Sequence, residues 1–368
     1  MKFPVIFPIL FLIVCNVCTA QHLKPGFNRD EYIDLMKVSA QFGDSAYAAG
    51  IPPPPQYHFV YRSPVVGLVN RWDLWMRDDG VAVISIRGTT SDKVSWLGNF
   101  YAAMVPAKGR LQLSKTDSFA YELADNPRAA VHIGWLVSTA FLSKTILPKI
   151  DSLYKAGTKE MIIMGHSQGG AIAYLLTAYL YHLQKQHLLA TDIRFKTYCS
   201  AGPKPGNLYF AYDYEAATQG GWAYNVVNAA DWVPETPVSI QTLDDFNKVN
   251  PFIHIKSFIK KQKWPGRWFL SYAYGRMNTP DRKAARNYRK YLGSFVSKSI
   301  KKQLNEYNPP GYDNSMDYVR TGAYIVLVPD ENYDKLFPQD GKNIFINHLH
   351  APYIYLAGKL SLPVLEGR

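Results

Sequence analysis

Ser167 sits in the stretch KEMIIMGHSQGGAIAYLL, Lys159 to Leu176, with Gly165 two residues before it and Gly169 two residues after it. A Gly-x-Ser-x-Gly spacing arises by chance about 0.1 times in a chain of this length at average Gly and Ser usage, so the pattern alone is a weak signal. Its setting is more telling. The apolar run MIIM passes directly into QGGAIAYLL, which has helical spacing, and a strand turning sharply into a helix holds the intervening serine in a strained backbone with its hydroxyl projecting from the sheet. The turn brings strand and helix so close that side chains at Gly165 and Gly169 would clash. The amide of Gln168 then lies at a helix N-terminus, where a negative oxygen is favoured. The chemistry implied is nucleophilic attack by Ser167, with Gly165, His166 and Gly169 building the elbow that presents it.

A serine hydroxyl is a poor nucleophile until a base takes its proton, and that base needs an acid to fix its tautomer. Where a serine opens a helix in this way, acid and histidine follow it in the chain. In YNVVNAADWVPETP a strand, Tyr224 to Asn228, leads to Asp231 in a turn closed by Pro234. Asp192, Asp213 and Glu215 fall at helix ends or on helical faces, where solvated charge explains them, and Glu235 is the nearest substitute for Asp231. Beyond Asp231 the histidines are His254, within a basic stretch, and His348 and His350, which share the loop NHLHAP. The residues themselves leave open which of the last two is the base.

The elements that must position these groups are legible as alternating periods. Asp30 to Gln41, Ile133 to Lys155 (bent at Pro148) and Gln168 to Gln184 read as helices. Gly67 to Met76 and Gly80 to Ile86 read as strands joined at Asp79-Gly80, and Met161 to Met164, Ile193 to Tyr198, Tyr224 to Asn228 and Ala323 to Val328 as further strands. The alternation predicts an α/β fold with a largely parallel central sheet and helices on both faces.

The 368-residue chain begins with MKFPVIFPILFLIVCNVCTA, a basic residue, an apolar run and a small-residue exit, the layout of a cleavable signal peptide over residues 1–20. Valines before Cys15 and Cys18 argue against a lipid anchor. No later run reaches the ~18 apolar residues of a membrane span. Of three cysteines only Cys199 lies beyond the signal, so residues 21–368 are expected to form one large domain without an intrachain disulfide. The formal charge of +12 is uneven: Asn247 to Lys302 holds fifteen Lys or Arg against one acid, Asp281. This stretch belongs to a basic, aromatic-rich, mostly helical insertion expected over residues 240–316. Such a patch suits an anionic surface, whereas no motif that reads nucleic acid is present.

Taken together, VISIRGTTSDKVSWLGNF, AVHIGWL, IIMGHSQGGAIA, TYCSAGPKPGN, VVNAADWVPETP, YVRTGAYIVL and HLHAPYIYL resemble, in order, the class 3 lipases of the fungal triacylglycerol lipase type. The resemblance covers about 200 residues and implies an α/β-hydrolase. It makes Ser167 the nucleophile and Asp231 the acid. An H-x-P-x-x-Y pattern frequent in the family is matched by His350, Pro352 and Tyr355 and not by His348, which points to His350 as the base. The residue after Arg87-Gly88, Thr89, becomes the second oxyanion donor beside Gln168. The segment after it implies a helical lid carrying Val94, Trp96, Leu97 and Phe100, while His132 and His166 match positions of structural kind. Ser200-Ala201 departs from a common Phe-Gly.

The expectation is an exported, secreted or periplasmic serine ester hydrolase acting on acyl lipids, triacylglycerol lipase or phospholipase A1 in type, with no metal or cofactor. The alternatives are an esterase of small soluble esters, and an inert hydrolase scaffold that binds anionic membranes or polysaccharide. Two parts of the insertion suit either a lipid boundary or packing of their aromatics on the core with the lysines solvated. One is Arg282 to Lys302, where Ala285, Tyr288, Leu292 and Phe295 share a helical face; the other is KKQKWPGRWFLSYAYGR upstream.

Overall fold

The computed structural model describes residues 21–43 and 50–361. The expected signal peptide, residues 1–20, lies outside the described residues. The strands are β1 Tyr57–Arg62, β2 Trp72–Arg77, β3 Ala82–Ile86, β4 Met104–Pro106, β5 Lys108–Gln112, β6 Ser118–Glu122, β7 Ala130–His132, β8 Glu160–His166, β9 Arg194–Ser200, β10 Ala223–Asn228 and β11 Ala323–Leu327. The α-helices are α1 Arg29–Ser39, α2 Lys93–Phe100, α3 Ile133–Lys155, α4 Gln168–Lys185, α5 Leu208–Thr218, α6 Ile255–Lys261, α7 Gly266–Tyr288, α8 Val296–Gln303, α9 Tyr333–Leu336 and α10 His350–Lys359.

Seven strands form the central sheet in the order β1-β2-β3-β8-β9-β10-β11. The pairs from β3 to β11 are parallel, and β1-β2 and β2-β3 are antiparallel. Apolar runs such as MIIM are continuous because this sheet is covered on both faces. Along β8, Met161 and Ile163 join the core beneath α3 and α4, while the alternate residues Ile162 and Met164 join the one beneath α1 and α10. Among the described residues no helix is long and apolar enough to cross a membrane.

Residues 240–316 leave and return at one point. Ile240 and Met316 form an isolated antiparallel bridge, the Ile240 amide donating to the Met316 carbonyl at 2.9 Å. Between them lie α6, α7, a π-helical stretch Arg289–Phe295 and α8. Of the two readings of Arg282 to Lys302, core packing describes most of its apolar face: Ala285 and Ile300 are buried in the main core, and Tyr288 packs against it. Phe295 alone of that set stands exposed. An amphipathic helix reads the same whether its apolar stripe meets the protein's own core or a bilayer, and here α8 packs against α2.

Candidate active site

Ser167 joins β8 to α4 with φ 61° and ψ −131°, a conformation few non-glycine residues adopt. Close packing holds it there. A Cβ on Gly165 would overlap the Gly169 carbonyl, and one on Gly169 would overlap the carbonyl of Ile86 at the end of β3. The Ser167 amide donates to the Ser200 carbonyl at 2.9 Å, tying the elbow to β9. Among largely buried neighbours Ser167 keeps partial exposure and lines a cavity of about 660 Å³.

Asp231 is buried in the turn after β10, and three donors converge on its carboxylate. Oδ1 accepts from the Val233 amide at 3.0 Å. Oδ2 accepts from the Tyr353 hydroxyl at 2.7 Å and from His348 Nδ1, also at 2.7 Å. With Nδ1 carrying the proton, His348 keeps Nε2 as the basic nitrogen, and its side chain lines the same cavity as Ser167. The loop of the acid and the loop of the histidine are laced together: Asn228 Nδ2 donates to the Asn347 carbonyl at 2.9 Å, and Asn347 Nδ2 to the Ala230 carbonyl at 3.1 Å.

His350, the base that the resemblance implied, is bonded to Ser39 and not to Asp231. It is the first residue of α10, and its Nε2 lies 3.3 Å from the Ser39 hydroxyl on α1. Burial, and next the neighbouring His348, push its pKa down to about 4. Leu349, between the two histidines, is extended, with φ −72° and ψ 165°; both rings lie against His166, but one bonds to Asp231 and the other to Ser39. The H-x-P-x-x-Y spacing misleads because Tyr355 donates to Asp330 at the surface, whereas Tyr353 is the tyrosine that meets the acid.

His166 does more than pack. Its Nε2–H donates to the His348 carbonyl at 2.7 Å, and Nδ1 accepts from the Ser200 hydroxyl at 3.0 Å. Burial, then the charges of His350 and His348, hold its pKa well below that of a free imidazole. Ser200, the departure from Phe-Gly, thus reaches the His348 carbonyl through His166.

Thr89 and Gln168 both border the cavity. The Gln168 amide is the first of α4 and has no intrahelical acceptor. A residue that the sequence reading missed, Asn99 on α2, links the two: its Nδ2 donates to Thr89 Oγ1 at 2.9 Å, and its Oδ1 accepts from Gln168 Nε2 at 2.9 Å and from Trp135 Nε1 at 3.1 Å. Nothing in a lone Asn within a helical stretch distinguishes it; only the meeting of α2, α3 and α4 does.

The four lid candidates separate. Val94 and Leu97 pack against the main core, whereas Trp96 and Phe100 face the cavity, stacked at 6.0 Å. Besides the Asn99 bonds, α2 is pressed onto α3, where a Cβ on Gly134 would overlap the Gly98 carbonyl. In this state α2 is a wall of the cavity. Phe42, Val238, Leu292 and Phe345 extend that wall with apolar surface.

A largely parallel sheet flanked by helices on both faces, with a strained serine between a central strand and its helix, defines an α/β-hydrolase of the serine ester hydrolase class. Residues 83–240 match the class 3 lipase family. The matched region contains Thr89, Ser167 and Asp231 and ends before His348. No curated protein matches the chain in sequence.

Among solved structures the chain is similar to a lipase from Yarrowia lipolytica, 16% identical, covering 58% of this chain and 76% of that one with a TM-score of 0.43. It is similar also to a lipase from Rhizopus microsporus var. chinensis, 22% identical over 57% of this chain and 69% of that one, with a TM-score of 0.41. For a triacylglycerol lipase from Penicillium expansum the values are 16%, 57% and 75%, with a TM-score of 0.42.

Proposed function

We propose that the chain is an exported hydrolase of acyl-lipid esters that works through Ser167, His348 and Asp231. The observation that carries this reading is the bond from His348 Nδ1 to the buried Asp231 carboxylate, at the wall of the cavity into which the Ser167 elbow opens. His348 Nε2 takes the Ser167 proton as Oγ bonds to the ester carbonyl carbon. The oxyanion is received by the amides of Thr89 and Gln168, where losing one donor typically costs about 10²–10³ in rate. The protonated His348 hands its proton to the departing alcohol, leaving an acyl-serine. Water, deprotonated by the same nitrogen, then releases the acid and restores the serine. The apolar walls from Phe42, Trp96, Phe100, Leu292 and Phe345 support an acyl chain as the group bound.

Two measurements test this. A fluorophosphonate probe is expected to label the wild-type chain at Ser167 and to leave Ser167→Ala unlabelled. p-Nitrophenyl esters of graded chain length are expected to turn over, with preference for longer acyl groups. Absence of both labelling and turnover in the folded protein overturns the hydrolase reading; preference for acetate over every longer ester restricts it to small soluble esters.

A further inference from the structure

The basic, aromatic-rich stretch expected to meet a lipid boundary divides in the structure, and the two parts have different fates. Arg282 to Lys302 contributes Ala285 and Ile300 to the core. The upstream part, α6, the turn Gln262 to Pro265 and the first half of α7, does the reverse. Seven consecutive residues, Lys263 to Phe269, are exposed, and they include Trp264 at 83%, Trp268 at 64% and Phe269 at 61% exposure. Phe258 on α6 and Tyr272 on α7 add 55% each.

On α7 the side chains of Trp268, Phe269, Tyr272 and Arg276 fall within an arc of about 100° at helical spacing. Trp268 and Tyr272 stack with ring centroids 5.7 Å apart, and the Arg276 guanidinium lies over the Tyr272 ring. Monomeric proteins seldom leave a contiguous aromatic patch of this kind in water. Charge surrounds it: from Lys248 to Arg276 the chain has seven Lys or Arg and no acid, and none of the seven is in an ion pair with another described residue. Unneutralised cations beside exposed rings complement a surface that is anionic outside and apolar beneath.

We propose that this helical hairpin docks the protein on an anionic lipid surface, with Trp264, Trp268 and Phe269 entering the headgroup and acyl boundary and Lys260, Lys261, Lys263 and Arg267 facing lipid phosphates. Phe258, Phe269 and Met277 favour lipid over an acidic polysaccharide, since their side chains have no polar atom to offer a sugar and gain only by leaving water. The hairpin continues without a break through α7 into the π-helical stretch, where Leu292 lines the cavity and its carbonyl accepts from the Ala103 amide at 3.2 Å. Docking is therefore mechanically joined to the cavity wall. The inference rests on the lipid-hydrolase reading only for its purpose, that the docked surface holds the substrate; the binding itself does not need a working serine.

The test uses the full mature chain carrying Ser167→Ala, so that vesicles stay intact, sedimented with phosphatidylcholine vesicles or with equal parts phosphatidylcholine and phosphatidylglycerol. Binding to the anionic vesicles is expected to exceed binding to the neutral ones by at least about tenfold. The triple change Trp264→Ala, Trp268→Ala, Phe269→Ala is expected to abolish it. Lys260→Gln, Lys261→Gln and Lys263→Gln together are expected to weaken anionic binding on the order of a hundredfold while leaving weak neutral binding unchanged.

In the Ser167 background the same surface changes are expected to leave p-nitrophenyl butyrate hydrolysis within about twofold, which separates failure of docking from failure of the hydrolase. Equal binding to both vesicle types, or an aromatic triple variant that still sediments, overturns the proposal. So does loss of binding to immobilised polygalacturonate in that variant with vesicle binding intact, which assigns the hairpin to polysaccharide.

Discussion

Three hydrogen bonds converge on the Asp231 carboxylate, and their donors are unequal in kind. The Val233 amide and the Tyr353 hydroxyl are fixed, neutral donors, whereas in the proposed mechanism His348 gains a charge when it takes the serine proton, which would strengthen its bond to Asp231. His348→Ala is accordingly expected to lower kcat/KM on the order of 10⁴-fold, while His350→Gln changes it only a few-fold; the reverse ranking in a p-nitrophenyl ester assay would make His350 the base. Tyr353→Phe removes one fixed donor, and its expected cost is about 1 kcal/mol in stability, read by urea midpoint. The serine end of this site was legible in the sequence because its demands are local: Gly165, Ser167 and Gly169 lie within five residues, and each is required by one turn. The histidine was not. His348 and His350 are separated by a single extended residue, and which one meets Asp231 depends on where α10 docks against β10 and α1, a matter no spacing within NHLHAP encodes.

Helix α2 shows what a short element can do when its neighbours leave no slack. Its Asp92 N-cap accepts from the Val94 amide, Gly98 sits against Gly134 of α3, and Asn99 holds the Thr89 hydroxyl and the Gln168 and Trp135 side chains at once. Asn99→Leu is expected to lower kcat by about 10- to 100-fold with KM little changed, because it releases both proposed oxyanion residues while leaving the apolar cavity residues Trp96 and Phe100 in place. A change confined to KM would count against that role.

The N-terminus of α3 beside it carries a pH dependence. His132 accepts from the Trp135 amide through Nδ1, its Nε2–H donates to the Asn99 carbonyl, and burial pushes its pKa down to about 3. The unfolded chain binds a proton near pH 6.5 that the folded one refuses until about pH 3. The stability His132 contributes is therefore complete above pH 6.5 and declines as pH falls from there toward 3, at up to about 1.4 kcal/mol per unit. His132→Asn is expected to be less stable than wild type at neutral pH yet to lose less on acidification, read from urea midpoints near neutrality and at about pH 5; parallel losses would assign the acid sensitivity to other groups. Periodicity revealed α3 and α4 as helices, and the family resemblance implied α2. The seam between them was hidden because Gly98 and Gly134 are 36 residues apart and signal nothing singly.

At the scale of the whole molecule, residues 240–316 are two structures sharing one exit. The bridge between Ile240 and Met316 closes the excursion, as the proposed triad, interrupted by so long a segment, requires. Closure alone would suggest that the segment is removable, but packing opposes this. Ala285, Ile300, Leu304 and Met316 are part of the main core, and Leu292 is part of the cavity. Deleting all of 240–316 is therefore expected to yield insoluble or unfolded protein.

A smaller excision follows the structure. Asp244 and Arg282 are joined by an ion pair at 2.7 Å, which places the stems of the α6–α7 hairpin side by side. Replacing residues 249–279 with a short Gly-Ser linker removes six Lys or Arg and no acid, halving the formal charge from +12 to +6. The shortened chain is expected to fold, to keep p-nitrophenyl butyrate hydrolysis within about twofold, and to lose most of its activity on triolein dispersed with anionic phospholipid. In the intact protein, raising salt is expected to depress activity on that interface but not on the soluble ester, since counterions screen attraction to a surface and leave the acyl cavity unchanged. Equal loss on both substrates after excision would mean that the hairpin supports the catalytic fold. Retention of both would mean that the exposed rings have no part in bringing lipid to Ser167.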